Sequence, residues 1–201
     1  TVIITAILIV GIRESASFNA AMVAVKVVIV LVVIAVGAFY VDPRNWHPFA
    51  PYGLTGVAFF GRTVLGTSSA AGEPLGMLAG AATIFFAYIG FDSVSTHAEE
   101  AKNPRRDVPI GIITSLVLCT VLYIAVAAVL TGMVPYDKIN IDAPVSNAFA
   151  QVGLPWAQFL ISLGALTGIT SVLLVMMLSQ PRVLLAMARD RLIPPSFFGA
   201  I

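Results

Sequence analysis

Apolar positions in this chain run in blocks of helix-spanning length, and the polar residues collect between the blocks. A soluble protein with buried strands shows apolar runs of about 4 to 8 residues, so run length points to transmembrane helices. Thr1 to Ile12 is apolar but too short to cross a bilayer alone, which suits the tail of a helix begun upstream, a partial span over 1–12. Arg13 and Glu14 then mark the membrane surface, and Ser15, Ser17 and Asn19 offer caps for a second helix. From Ala20 to Val41 only Lys26 interrupts the apolar run. That span covers about 33 Å at the helical rise, against a hydrocarbon core of about 30 Å.

Residues 42–74 form a long external connection rich in Pro and Gly, with Trp46, Phe49 and Tyr52 placed as an interfacial aromatic belt. A third span runs over 77–95, and its apolar character fails at Gly90-Phe91-Asp92-Ser93, so the helix is expected to break near 90. The fourth covers 109–134, opened by Pro109 in its first turn and closed near Pro135. The fifth covers 154–183, where Pro181 is expected to kink or end it. The elements define one all-α, polytopic transmembrane bundle, and the chain reads as an internal piece of a longer integral membrane protein.

Composition agrees: 59% of residues are hydrophobic and 10% charged, which excludes water as the main solvent of the surface. A net charge of +1 offers no field for nucleic acid. The distribution of charge tells more. Arg13, Lys102, Arg105, Arg106, Arg182, Arg189 and Arg191 fall in alternate loops, which makes 13–19, 99–107 and 184–201 cytoplasmic by the positive-inside rule. Cys119 is the only cysteine and reads as a small packing residue, so no disulfide framework exists. With so few His and no Cys near His97, no metal site is expected, and no hydrolase, metalloprotease or phosphate-loop motif appears. No catalytic residue, metal or cofactor is assigned.

Two features carry candidate chemistry. Lys26 lies about 10 Å inside its helix, where an ammonium either snorkels to the interface or faces the bundle interior beside a transport path. Thr170 and Ser171 are the hydroxyls first paired with it. The run Phe86-Ala87-Tyr88-Ile89-Gly90-Phe91-Asp92-Ser93 is the second feature. Gly90 lowers the cost of unwinding, Asp92 or Ser93 can cap the half-helix that restarts, and carbonyls freed in such a break suit a ligand ammonium. The simpler alternative is a continuous helix in which Gly90 permits close packing. Asp92 is foremost a cap and alternatively a substrate or proton contact. Glu99 and Glu100, at a membrane exit, suit a solvated or Arg-paired surface role.

The order Phe86 to Asp92, followed by Ala98-Glu99-Glu100-Ala101-Lys102-Asn103-Pro104-Arg105-Arg106-Asp107-Val108-Pro109-Ile110-Gly111, resembles the cationic amino acid transporter branch of the amino acid-polyamine-organocation superfamily. The likeness extends to Arg13-Glu14-Ser15-Ala16, Asn19 through Lys26, Asn45-Trp46, Pro51-Tyr52-Gly53 and Gly164 through Ser171, most of the chain. The resemblance implies a five-plus-five inverted repeat of the LeuT type, of which this chain holds the end of helix 4 through helix 8. It implies that backbone at the helix 6 break, at Phe86, Ala87, Ile89 and Gly90, holds a substrate amino group. It also implies that Lys26, with Thr170 and Ser171, stands where sodium-driven relatives bind sodium. The expected function is therefore a sodium-independent, proton-linked amino acid permease of the bacterial plasma membrane, with an amino acid, protons and the bilayer as partners. A membrane-embedded enzyme and a noncatalytic membrane subunit are the alternatives. The segment 61–74 looks like an enlargement of the external loop.

Overall fold

The structure, a computed structural model, describes residues 12–59, 62–69, 73–90, 101 and 103–193. The expected partial span over 1–12, apart from Ile12, lies outside these residues, as do Asp92, His97, Glu99 and Glu100.

Helix α1 runs Ile12–Ala38. Ser15, Ser17 and Asn19 therefore lie inside it rather than at its start, and 13–19 is helix rather than loop. Ser and Asn cost well under about 1 kcal/mol each in a helix, too little to stop one flanked by Arg, Glu and Ala. The helix ends at Ala38 instead of Val41 because the chain turns to dock on a neighbour: Tyr40 N–H donates to the Gly37 carbonyl at 2.9 Å and Asp42 N–H to the Gly132 carbonyl at 3.0 Å.

The external connection is less irregular than its composition suggests. A 3-10 turn, Pro43–Trp46, opens it, with the Asp42 carboxylate accepting from the Arg44 N–H at 2.9 Å. Two short antiparallel pairs follow, β1 (Val57–Phe59) with β2 (Arg62–Leu65) and β3 (Thr67–Ser68) with β4 (Pro74–Leu75). The sequence reading anticipated neither. They add a small ribbon to the bundle without changing its all-α class.

Helix α2 holds α geometry only over Met77–Ile84, then tightens to a 3-10 turn at Phe85–Tyr88. Those twelve residues of apolar helix reach about 18 Å, well short of a crossing.

Helix α3 runs Pro104–Met133, so its start lies five residues before the expected Pro109, and residues 104–107 belong to helix rather than to a loop. Pro104 takes the first position, where a missing N–H costs nothing. Asn103 precedes it, with its carbonyl accepting from Asp107 N–H at 2.8 Å and its own N–H donating to the Asp107 carboxylate at 3.2 Å. Pro109 sits inside the helix. The short helix α4, Pro144–Gln151, was not anticipated. Gly153, at φ +82°, ends it: its N–H reaches the Ala150 carbonyl while Leu154 N–H reaches that of Phe149, a Schellman turn that feeds directly into Pro155.

Helix α5 spans Pro155–Arg189 and passes straight through Pro181, which does not end it, so residues 184–189 are helix as well. Leu184, Leu185, Ala186 and Met187 are strong helix formers that offset one lost bond. The stop comes at Arg191, φ 60°, where Arg191 N–H bonds the Ala188 carbonyl and Leu192 N–H that of Met187.

Among the described residues, three helices are long and apolar enough to cross a membrane, within Ser17–Ala38, Pro104–Met133 and Pro155–Arg189. No more than 17% of any of their most apolar windows is buried within the chain, so lipid or further protein must cover the rest. Small residues set the close approaches. A Cβ on Gly164 of α5 would meet Ile29 of α1 at 2.9 Å, and one on Gly37 of α1 would collide with Val129 of α3. Around these contacts Ile29, Val33, Val129, Met133, Ala148, Phe149 and Ala157 form the core, with Phe149 of α4 filling its centre.

Candidate functional site

The polar floor of the site comes from α1 and α5. Asn19, Val23 and Lys26 follow one another at four and three residues, so they share a face of α1. Opposite them Ser171 of α5 is 3% exposed. Its hydroxyl donates to the Asn19 side-chain oxygen at 2.7 Å, which leaves its lone pairs to accept from the Lys26 ammonium at 3.4 Å. Thr170, the other hydroxyl expected here, instead donates back to the Leu166 carbonyl of its own helix at 2.8 Å and is not among the residues lining the cavity. Asn19 escaped the sequence reading because it was taken for a cap; its spacing of seven from Lys26 was the available signal.

The second wall is the end of the α2 segment. Ile89 is extended, φ −60° and ψ 132°, and Gly90 takes φ +119°, a region that side-chain-bearing residues rarely enter. Ala87, Ile89 and Gly90 all line the cavity. The Phe86 side chain does not: it is 68% exposed, and the Phe86 carbonyl accepts from Ile89 N–H at 3.2 Å.

Ser115, Cys119 and Tyr123 repeat every four residues along α3 and supply the third wall. The sequence reading had Cys119 as packing and passed over Ser115 and Tyr123, since a helical stripe of mild polarity looks like any other core face. The Ser115 hydroxyl is turned to its own helix, donating to the Gly111 carbonyl at 2.7 Å. Val172, Val175 and Met176 of α5 close the apolar side. The cavity is open to one side and has a volume of about 440 Å³, within the range of small-molecule sites. A second cavity of about 260 Å³, walled by Ile29, Val30, Val33, Val126 and Ile161 among others, lies on the far side of Lys26, so that residue divides the two.

The arrangement brings together backbone out of regular helix, one cation with a hydroxyl and an amide, and an apolar wall. Among the described residues no cluster of His, Cys, Asp or Glu is placed to hold a metal ion. The cavity lies between helices of an integral, multi-pass membrane protein.

The chain belongs to the amino acid permease family, whose model matches residues 1–201, and the resemblance drawn from the Phe86–Gly111 region is borne out. It is 46% identical over 195 residues to the methylthioribose transporter of Bacillus subtilis (strain 168), covering 97% of this chain and 38% of that protein. It is 46% identical to the chloroplastic cationic amino acid transporter 9 of Arabidopsis thaliana, over 97% of this chain and 31% of that one. With a branched-chain amino acid permease of Bacillus subtilis (strain 168) it shares 44% identity, over 96% and 37% respectively. These relatives are named as transporters and permeases, not as enzymes. The chain thus spans roughly a third of the length of the curated relatives it matches.

Proposed function

We propose that the protein to which these residues belong is a secondary active amino acid transporter that works by alternating access in a bacterial plasma membrane. Its substrate ammonium is held by backbone beside Gly90, with the Ala87 carbonyl nearest to hand. The observation that carries this reading is the cavity that sets Ala87, Ile89 and Gly90 opposite Lys26 and Ser171. A carbonyl outside regular helix retains acceptor capacity, and a membrane tolerates such a carbonyl where it lines a cavity. Lys26 supplies the charge that sodium would bring, which suits transport linked to a proton gradient rather than to sodium.

The test is uptake by the full-length protein in proteoliposomes, with a panel of unlabelled amino acids competing, in the presence and absence of sodium and of an inward proton gradient. Saturable, sodium-independent uptake that the gradient accelerates is the expected result. Sodium-dependent uptake, or none of any amino acid, overturns it. Methylthioribose belongs in the panel because of the 46% identical relative named for it. Preference for that sugar, which has no ammonium, would move the substrate to another class while leaving the protein a transporter.

A further inference from the structure

Helix α3 grips the broken segment at two points. Tyr88, last residue of the 3-10 turn, has its hydroxyl 3.0 Å from the Thr120 hydroxyl of α3. Thr120 already gives its proton to the Leu116 carbonyl at 2.8 Å, so Tyr88 is the donor. Three residues further along α3, Tyr123 donates in the opposite sense to the Ala87 carbonyl at 3.3 Å. The two rings meet edge to face, centroids 5.4 Å apart at 67°. Each element therefore sends one tyrosine hydroxyl to the other, and the two bonds cross within a single aromatic contact.

We infer that this crossed clasp is a positioning device for the proposed site: Tyr123 orients the Ala87 carbonyl toward a bound ammonium, and the Tyr88–Thr120 bond fixes the register of the 3-10 turn on α3. The inference rests on the transport reading above. A carbonyl has two lone pairs, so a hydroxyl on one sets its direction and leaves the other for a ligand. The need for such a tie follows from the local backbone. Hydrogen bonds in a 3-10 turn are poorly aligned, and Gly90 next to it is conformationally permissive, so an untethered carbonyl would be spread over many directions. Ordering it in advance removes that cost from binding. Tyrosine hydroxyls in an apolar setting seek a partner in any case, so bond formation alone does not separate positioning from mere satisfaction. Ammonium recognition does.

The experiment compares an amino acid substrate with its des-amino analogue, the corresponding carboxylic acid, as competitors for uptake by the full-length protein in proteoliposomes. In the unmodified protein the amino acid should compete far better. In Tyr123→Phe the KM for the amino acid should rise about tenfold, as for one weakened bond to a charged group, with maximal rate changed little and the analogue competing as before. Tyr88→Phe and Thr120→Val should each raise KM by roughly threefold, the double variant no further, and Thr120→Ser should retain the original value. Intact discrimination in Tyr123→Phe overturns the inference, as does loss of melting temperature with KM unmoved in Tyr88→Phe and Thr120→Val. If the unmodified protein itself fails to distinguish amino acid from analogue, the ammonium reading falls, a result separate from the behaviour of the tyrosines.

Discussion

The Lys26 ammonium stands 3.4 Å from the Ser171 hydroxyl across the α1–α5 contact, 145 positions apart in the chain. Because Ser171 spends its proton on Asn19, it presents only lone pairs to the lysine. Replacing Lys26 with Met keeps the length and apolar stem while removing the charge. In proteoliposomes of the full-length protein, Lys26→Met should abolish the acceleration of uptake by a pH gradient. A gradient response of unchanged size would remove Lys26 from coupling.

Ser171 and Thr170 are adjacent, and the structure separates them. Ser171→Ala leaves the half-buried Asn19 oxygen without its donor, at a cost of about 1 kcal/mol, and deprives Lys26 of an acceptor. Thr170→Ala removes only a back-bond to Leu166 and should stay within about 0.5 kcal/mol. Melting temperature and gradient-driven uptake, measured on both variants, should fall for Ser171→Ala alone. Equal effects would mean that the sequence pairing of both hydroxyls with Lys26 describes the site better than the structure does.

That contrast shows what the sequence could reveal. Three of the expected spans, those over 20–41, 109–134 and 154–183, coincide with long apolar helices, and Lys26 stands out as a lone charge inside one. Helix ends were not legible, because Pro104 and Pro109 both fit near a helix start, and Pro181 lies in a run of strong helix formers that carries the helix past it. Asn19, Ser115 and Tyr123 depend on which face of a helix meets which neighbour, and only packing decides that. Phe86 comes with Ala87 from the family resemblance, as backbone at the break; successive residues of a helical turn point about 100° or more apart, so Ala87 lines the cavity while the Phe86 side chain is exposed.

The external loop carries its own test. Asn45 donates its amide to the Gly132 carbonyl at 2.7 Å, which also accepts from Asp42 N–H, and the Trp46 indole donates to the Ala128 carbonyl at 3.2 Å, so both tie the loop to the end of α3. A Cβ on Gly132 would stand 2.7 Å from Val41 and 3.2 Å from the Trp46 indole nitrogen. Asn45→Leu should therefore cost about 0.5–1.5 kcal/mol, and Gly132→Leu more, about 1–3 kcal/mol, through overpacking. Thermal unfolding of the purified full-length protein reads both. An unchanged melting temperature in Asn45→Leu would mean that the Asp42 N–H alone satisfies the Gly132 carbonyl.

Gly90 gives the most direct test of the break. Its φ of +119° lies where a Cβ is unfavourable, although the space beside it is open: the nearest atom a Cβ would meet is Met176 Cε at 3.8 Å. A larger residue is thus opposed by backbone strain rather than by collision, at about 1–3 kcal/mol, and the chain can relieve that strain by drawing residues 87–90 toward regular helix. Doing so pulls the Ala87 carbonyl out of the cavity. Gly90→Leu should then reach the membrane in near-normal amount and bind amino acids at least tenfold more weakly, which expression level and radioligand binding measure separately. Full affinity in that variant would place the solute somewhere other than the bend at Gly90, whatever the clasp tyrosines do.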